Sequence, residues 1–379
     1  MPQSQPSYLI GMAPRTRRSP FYDATVRAGV KSFTVYNRML MPVYYESPEA
    51  DYERLVNAVT LWDVAVERQV EIAGPDAARF AQLLTPRDLS SCAIGQCKYV
   101  LITDERGGIV NDPVLLKLAD DRFWLSLADS DVLLWAKGIA LNSGLDVTIV
   151  EPDVSPLQLQ GPRSSDVARA VFGDWIDDLR YFRFQEAEVA GIPVVVSRTG
   201  FSGERGYEIF LRDSARADSL WDLIMEAGKR YDIGPCSPST IRRVEAGMLS
   251  YGTDMTLENN PYEINLARLV DLDIEAPFVG KAALTEIARR GLSQRLVGLE
   301  MGGSALAGVN GDYWPVSVGD GGVGKVTTAV RSPALDKNIA LAMLAEEHTG
   351  VGTTVSVQAP GGEREASVVP MPFVSPKQQ

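Results

Sequence analysis

Histidine and cysteine, the residues most often used in acid–base and nucleophilic catalysis, are scarce in this chain of 379 residues. His348 is the single histidine, and the three cysteines, Cys92, Cys97 and Cys236, are irregularly spaced. A lone histidine disfavours Ser/His/Asp and Cys/His triads and HExxH zinc sites, unless His348 itself is used. The cysteines indicate neither a disulfide framework nor a thiolate zinc site. We therefore expect carboxylates, tyrosines, backbone groups or a bound cofactor to carry the chemistry, with no metal site.

The segment RTGFSGERGYEI at 198–209 places two carboxylates, Glu204 and Glu208, beside a glycine-rich turn. Three glycines within seven residues permit close approach of the backbone to a ligand. Glu208 lies between Tyr207 and Ile209 in a predicted strand, so it faces the side opposite to both. A carboxylate there could pair with the amidine-like edge of a pterin or guanine ring. The segment alone favours the alternative, a surface hairpin with solvated charges.

Two further segments carry polar residues suited to ligand binding. Asn111 and Asp112 leave a Gly-Gly turn in DERGGIVNDP at 104–113, where either could orient an amine or hydrogen-bond a cofactor nitrogen. Arg243, in TIRRVEAGMLSYGTD at 240–254, could bind a carboxylate in bidentate fashion. Each has an ordinary alternative, a turn at a strand edge for the Asn-Asp-Pro sequence and a solvated helical arginine.

Aromatic residues cluster in the first 62 positions, among them Phe21, Tyr36 and Trp62. Most are expected in the core, but ring faces also attract sulfonium and quaternary ammonium groups, so an aromatic cage is the alternative. The glycines of 319–324 match GxGxxG, yet a strand-forming sequence follows them. We therefore predict a hairpin turn there and not a nucleotide site.

The acidic composition limits the partners that this chain can have. There are 37 Lys+Arg against 49 Asp+Glu, a formal net charge of −12, which argues against nucleic acids and anionic membranes. Neither a signal-peptide core nor an apolar run long enough for a membrane span is present. We expect a cytoplasmic protein with a small-molecule partner.

Hydrophobic periodicity predicts two successive α+β units followed by a β-barrel or roll that begins near 295. Short strands are predicted near 33–35 and 39–43. Predicted helices cover 51–64, 76–84, 130–142, 162–172, 214–231 and 239–249, and predicted strands cover 69–72, 97–103, 110–117, 123–128, 157–159, 194–197, 207–211, 296–299, 323–330, 339–344 and 354–358. The fold class is therefore α+β.

Five ordered segments resemble the glycine-cleavage T-protein, or aminomethyltransferase, family over nearly the whole chain. They are LWDVAVERQVEIAG at 61–74, GGIVNDP at 107–113, RTGFSGERGYEI, RRVEAGMLSYGTDMT, and VGKVTTAVRSPALDKNIALAML at 323–344. FTVYNRMLMP at 33–42, VERQVEI, NDPVLLKL and SLADSDVLLWAKGIA look most like the tetrahydrofolate-dependent dimethylsulfoniopropionate demethylases. Tetrahydrofolate-dependent O-demethylases of methoxylated aromatic acids share parts of the pattern.

The resemblance implies a three-domain cloverleaf with folate in a central funnel. A folate-binding α+β domain would span about 1–55 and 146–290, with a second α+β domain of about 56–145 inserted and a C-terminal β-barrel at 291–379. It also implies that Glu208 holds the pterin edge, that Arg243 holds a polar part of folate, and that Asn111 or Asp112 lies near N5 and N10. For cofactor binding we also expect Phe201, Glu204 and Tyr251. The expected catalytic residues are Tyr36, Asn111 and Asp112. The expected substrate contacts are Tyr36, Arg38, Phe21 and Trp62.

Departures from the family pattern bear on the substrate. Aminomethyltransferases read Asp-Asp where this chain has Asn111-Asp112, which favours simple methyl transfer over methylene transfer. Against the demethylases, Phe201 stands for an expected Trp, Arg38 for the His of Tyr-Asn-His, and Ile264-Asn265 for Cys-Gly.

The expected function is transfer of a methyl group from a small carboxylate-bearing substrate, in the first place dimethylsulfoniopropionate, to N5 of tetrahydrofolate. A sulfonium leaves as a neutral thioether, whereas an aryl ether leaves as a phenoxide and benefits from an acid such as Tyr36 or a water. Arg38 is a candidate anchor for the substrate carboxylate. The alternatives are an O-demethylase of a methoxybenzoate-type acid and a non-catalytic folate-binding protein.

Overall fold

Within residues 13–377, which the computed structural model describes, eight α-helices accompany two large sheets, two hairpins and a closed barrel. The first elements in chain order are α1 (Tyr22–Arg27), β1 (Ser32–Tyr36), β2 (Met39–Tyr44), α2 (Pro48–Asn57), β3 (Val59–Asp63), β4 (Gln69–Ala73), α3 (Ala77–Leu84), β5 (Gln96–Tyr99), β6 (Ile102–Thr103), β7 (Ile109–Asn111), β8 (Val114–Ala119), β9 (Arg122–Ser126), α4 (Val132–Ser143) and β10 (Thr148–Val150).

The second half of the chain continues with β11 (Ser155–Gln160), α5 (Ser164–Phe172), β12 (Phe184–Val189), β13 (Ile192–Ser197), β14 (Gly206–Leu211), α6 (Ala217–Gly228), β15 (Ile233–Cys236), α7 (Thr240–Glu245), α8 (Lys281–Arg290), β16 (Gln294–Met301), β17 (Trp314–Val318), β18 (Gly321–Ser332), β19 (Lys337–Ala345), β20 (Thr354–Ala359) and β21 (Gly362–Val369). The α+β class is confirmed.

Local sequence explains where α2 begins, and tertiary pairing explains why it ends early. The Ser47 side chain accepts the Ala50 N–H, and Pro48 fills the first turn. The predicted helix over 51–64 is wrong beyond the end of α2, because Val59–Asp63 is a strand. Its side chains are buried, and it pairs with β11 on one edge and β15 on the other, which outweighs the helical periodicity.

The six-stranded sheet has the order β12-β13-β14-β11-β3-β15 and is antiparallel except where β15 runs parallel to β3. Side-chain alternation divides its two faces. Leu157, Leu159 and Ile209 point into a core that α5 and α6 cover. Gln158 and Glu208, which lie opposite each other on β11 and β14, therefore point to the other face.

The five-stranded sheet has the order β10-β4-β9-β8-β5, and α3 and α4 share a core with one of its faces. Its other face packs on the six-stranded sheet, where the Trp124 and Phe210 ring centroids are 6.2 Å apart. The strands predicted at 97–103 and 110–117 are each broken into two, and the short strands β6 and β7 form a separate pair.

The C-terminal segment forms a closed barrel of order β16-β19-β18-β17-β20-β21, as predicted, and the 319–324 glycines lie in the β17–β18 hairpin. The last residues tie the barrel to the other sheets, since the Val374 N–H bonds the Glu245 carbonyl at 2.8 Å. Helix α7 packs on β18 and ends at Glu245, four residues before the predicted end, because Gly247 takes a left-handed φ of 67°.

Helix α6 is likewise shorter than the predicted 214–231, with a single 3₁₀ turn at each end. Over 13–377 no helix has the length and apolar character needed to cross a membrane.

Candidate functional site

Three carboxylates, Glu67, Asp112 and Glu208, form a group in which the charges of Asp112 and Glu208 both act on Glu67, in the turn that joins the two large sheets. Glu208 is the best anchored of them. The Gln158 Nε2 donates to its Oε1 at 2.9 Å, and the Thr199 hydroxyl donates to its other oxygen. Burial raises the pKa of Glu208, and these two hydrogen bonds oppose the rise.

Asp112 follows β7 and has one carboxylate oxygen free. The Tyr99 hydroxyl donates to Oδ2 at 2.8 Å, whereas the buried Oδ1 has no hydrogen-bond partner among residues 13–377. Burial raises the pKa of Asp112 to about 7, although the Tyr99 hydroxyl and the backbone N–H of Asp112 itself work in the opposite direction. A carboxylate with that pKa and a free oxygen can accept a proton near neutral pH.

Glu67, in the turn between β3 and β4, is a member of the site that the sequence interpretation missed. Its Oε1 lies 3.3 Å from Nε2 of Gln158, and its Oε2 lies 3.5 Å from the Ser126 hydroxyl. Burial, and then the negative charge of Glu208, raise its pKa well above the ordinary value. The only signal in the sequence is a carboxylate placed directly after the buried run of β3, and that is also typical of a solvated turn.

Tyr36 reaches this group from the β1–β2 hairpin. Asn37 and Arg38 form the two-residue turn, both with left-handed φ angles, of 47° and 62°. Two hydrogen bonds of Asn37 hold the turn in place. Its backbone N–H donates to the Asp129 carboxylate at 2.7 Å, and its Nδ2 donates to Val66 O at 3.0 Å. Burial, followed by the charge of Asp112, raises the pKa of Tyr36 far above its usual range.

Tyr251 and Phe201, which the sequence assigns to cofactor binding, lie near the same group, and that role stays a prediction. The Tyr251 hydroxyl donates to the Ile109 carbonyl at 3.1 Å, and burial followed by the charge of Asp112 raises its pKa to about 12. The backbone N–H of the half-buried Phe201 donates to Oε1 of Gln158 at 3.4 Å, and Nε2 of the same amide group donates to Glu208.

The three carboxyl groups together make an acidic site. Among residues 13–377, no lysine, arginine or histidine acts on the pKa of Glu67, Asp112 or Glu208. Such a site can accept hydrogen bonds from a donor-rich edge, attract a cation and take up a proton.

Asn111 has a structural task that leaves it no capacity for a ligand. Its Nδ2 donates to Ala128 O at 2.9 Å and to Ser130 Oγ at 2.8 Å, and its Oδ1 accepts the Ala128 N–H at 3.0 Å. The catalytic role expected for Asn111 is therefore replaced by a structural one. Its side chain is completely buried, and its hydrogen bonds hold the loop that follows β9.

Arg243 and Glu204 are also engaged elsewhere. Arg243 forms a buried ion pair with Asp254 at 2.7 Å and donates to the Thr328 hydroxyl of the barrel at 3.1 Å. Glu204 accepts from Nε of the buried Arg242 at 2.9 Å. Both therefore hold α7 to its neighbours, and we leave them out of the proposed folate contacts.

Phe21 and Trp62, the expected substrate contacts, have no exposed surface. The Trp62 indole N–H bonds Thr60 Oγ1 at 2.8 Å inside the six-stranded sheet. Both side chains belong to the core, which is the default that their apolar neighbours favour. Arg38, in contrast, is exposed at the hairpin tip and forms an ion pair with Asp131.

The sheets, the barrel and the central carboxylates define a known class of protein. The GCVT N-terminal domain family matches residues 21–274, and the glycine cleavage T-protein C-terminal barrel domain matches residues 294–375. The chain belongs to the glycine cleavage T-protein family and is an enzyme.

Two relatives in sequence and one solved structure are similar to nearly the whole chain. The chain is 44% identical over 354 residues to the dimethylsulfoniopropionate demethylase DmdA of Ruegeria pomeroyi, covering 93% of this chain and 96% of that protein. It is 30% identical over 362 residues to an aminomethyltransferase of Bacillus cereus, covering 94% and 98%. The crystal structure of the glycine cleavage system aminomethyltransferase T from Bartonella henselae has the same fold, with a TM-score of 0.85 at 24% identity over 96% of this chain and 99% of that one.

Proposed function

We propose that this enzyme transfers a methyl group from a small, carboxylate-bearing onium compound to N5 of tetrahydrofolate, with dimethylsulfoniopropionate as the first candidate donor. The observation that carries the proposal is the half-buried Asp112, whose buried Oδ1 has no hydrogen-bond partner within 13–377, in one acidic site with Glu208. The 44% identity to a dimethylsulfoniopropionate demethylase over nearly the whole chain supports it.

The residues around Glu208 suit the pterin end of a folate. A pterin presents adjacent N–H donors along one edge, and the ionised Glu208, held by Gln158 and Thr199, is a matching acceptor. Phe201, whose backbone contacts Gln158, would offer its half-buried ring as an apolar contact for the pterin. Tetrahydrofolate supplies the N5 nucleophile that receives the methyl group.

Asp112 accounts for the proton that this reaction releases. The donor loses its methyl carbon, and the S–C electron pair stays on sulfur, so the leaving thioether is neutral and requires no acid. The N5 proton must then depart, and Asp112 Oδ1 is a buried acceptor without another partner. The Tyr99 hydroxyl on Oδ2 fixes the orientation of the carboxylate at 2.8 Å.

The charge of the site favours an onium donor over a methoxybenzoate. The carboxylates of Asp112 and Glu208, when ionised, attract a cationic sulfur or nitrogen and repel an anion placed at the same position. The carboxylate of the donor would need a cation outside this group. Arg38 lies exposed at the hairpin tip, where its one ion-pair partner within 13–377 is the exposed Asp131.

The test is to incubate the enzyme with tetrahydrofolate and either dimethylsulfoniopropionate or 4-methoxybenzoate, and to quantify 5-methyltetrahydrofolate and the demethylated product by mass spectrometry. The proposal expects both products, in equal amounts, with the sulfonium donor only. Products from 4-methoxybenzoate alone would establish O-demethylation instead. Folate binding without product from any onium compound would contradict methyl transfer, and Asp112→Asn serves as the matched inactive control.

A further inference from the structure

Glu67 has no task in the proposed function, although it shares a hydrogen-bond donor with Glu208. Nε2 of Gln158 lies 2.9 Å from Glu208 Oε1 and 3.3 Å from Glu67 Oε1, so a single amide group bridges the two carboxyl groups. No cationic side chain of 13–377 acts on either carboxyl group. Two ionised carboxylates this close in a buried site repel each other strongly, so the pair holds one proton.

The hydrogen bonds decide which of the two keeps the proton. Glu208 has the short contact to the Thr199 hydroxyl in addition to the shorter Gln158 bond, so its ionised form is the better stabilised. Glu67 has only the 3.3 Å contact to Gln158 and a 3.5 Å contact to the Ser126 hydroxyl. The proton therefore resides on Glu67.

The groups of residues 13–377 that act on the Glu67 carboxyl group are all acidic or neutral. Glu208 approaches from β14 and Asp112 from the β7–β8 loop, and both bring negative charge. Tyr36 approaches from β1. Gln158 of β11 and the Ser126 hydroxyl of β9 are uncharged. No neighbour within 13–377 compensates a second negative charge on Glu67.

We propose that Glu67 is a positioning residue that stays a neutral carboxylic acid beside the ionised Glu208, and that folate binding takes up a proton when the free pair has lost it. The inference rests on the proposed folate-binding function. A pterin ring bound over Glu67 and Glu208 removes the water that still contacts them. A second negative charge on the pair therefore costs more free energy in the complex than in the free enzyme. The affinity of the enzyme for folate consequently falls once the pH exceeds the value at which the Glu67–Glu208 pair of the free enzyme loses its proton.

The experiment is titration calorimetry of the full-length enzyme with (6S)-5-methyltetrahydrofolate between pH 6 and 9.5, in two buffers of different ionisation enthalpy. For the native enzyme we expect affinity to fall about tenfold per pH unit on the alkaline side, with uptake approaching one proton. Glu67→Gln imitates the neutral acid, so it should keep the low-pH affinity and lose both the slope and the uptake. Glu186→Gln, which removes an exposed carboxylate of β12 outside the site, is the control and should retain both. Asp112→Asn is measured in parallel, because it shows whether Asp112 and not Glu67 carries the proton.

Several outcomes would overturn the assignment. One is an unchanged slope in Glu67→Gln, another is loss of uptake in Asp112→Asn alone, and a third is the absence of uptake in the native enzyme. If Glu67→Gln does not fold, the native proton count and an infrared difference spectrum of the carboxylic acid band decide the question. Folate binding without a pH slope removes only the role of Glu67, whereas no folate binding at any pH removes the proposed function as well.

Discussion

Replacement of Asp112 by Asn gives the sharpest prediction about catalysis. If Asp112 takes the N5 proton, the carboxylate must be ionised, so the rate falls as the pH drops through its pKa of about 7. A group with that pKa is roughly one-tenth ionised one pH unit below it and nine-tenths ionised one unit above. The single-turnover rate should therefore rise about tenfold from pH 6 to pH 8.

In Asp112→Asn the rate should fall by about 10²- to 10⁴-fold and lose this pH dependence, because the proton acceptor is gone. The assay is rapid-quench measurement of the 5-methyltetrahydrofolate formed. The enzyme is in excess over tetrahydrofolate, and dimethylsulfoniopropionate is present at a saturating concentration. Circular dichroism and folate affinity serve as controls for folding and binding.

Tyr99→Phe supplies the matched perturbation. Its hydroxyl donates to Asp112 at 2.8 Å and lowers the pKa of that carboxyl, so its removal must shift the rate profile to higher pH. A hydrogen bond to a charged group contributes about 1.5–3 kcal/mol, which corresponds to roughly one to two pH units. A profile that moves to lower pH, or a midpoint near 7 that survives in Asp112→Asn, would refute the role of Asp112.

Three further predictions concern binding and stability. Glu208→Ala should weaken 5-methyltetrahydrofolate binding at least tenfold by calorimetry, since the acceptor for the pterin edge is lost; unchanged affinity would remove Glu208 from the site. Arg243→Met should destabilise the protein by about 3–5 kcal/mol in chemical denaturation, because Asp254 stays buried without its ion-pair partner; a loss of folate affinity without a loss of stability would return Arg243 to the binding site. Asn111→Asp should lower the melting temperature and the rate together, because an ionised carboxylate cannot donate to Ala128 O and Ser130 Oγ; activity lost at full stability would indicate a direct role.

Much of the architecture could be predicted from the sequence because it depends on short-range patterns. The barrel strands, the hairpin at 319–324 and the pairing of 194–197 with 207–211 follow from alternation and turn residues, and the structure contains them. Local alternation also predicts that Glu208 and its neighbour Ile209 face opposite sides of the sheet, and Ile209 indeed lies in the core. The element at 59–63 could not be assigned in this way, because its pairing partners are distant in the chain.

The sequence by itself determined the family and the fold class, and its single histidine disfavoured the usual histidine-based catalytic sites. Only the tertiary structure decided which polar side chains are free to act. Asn111 and Arg243 have the residue types of ligand-binding groups, yet partners 17 and 85 residues away occupy them. Glu67 has the appearance of a solvated turn residue until Gln158, 91 residues further along the chain, brings it beside Glu208. The reactivity of a side chain depends on its burial and partners, and those arise from long-range packing that no local pattern encodes.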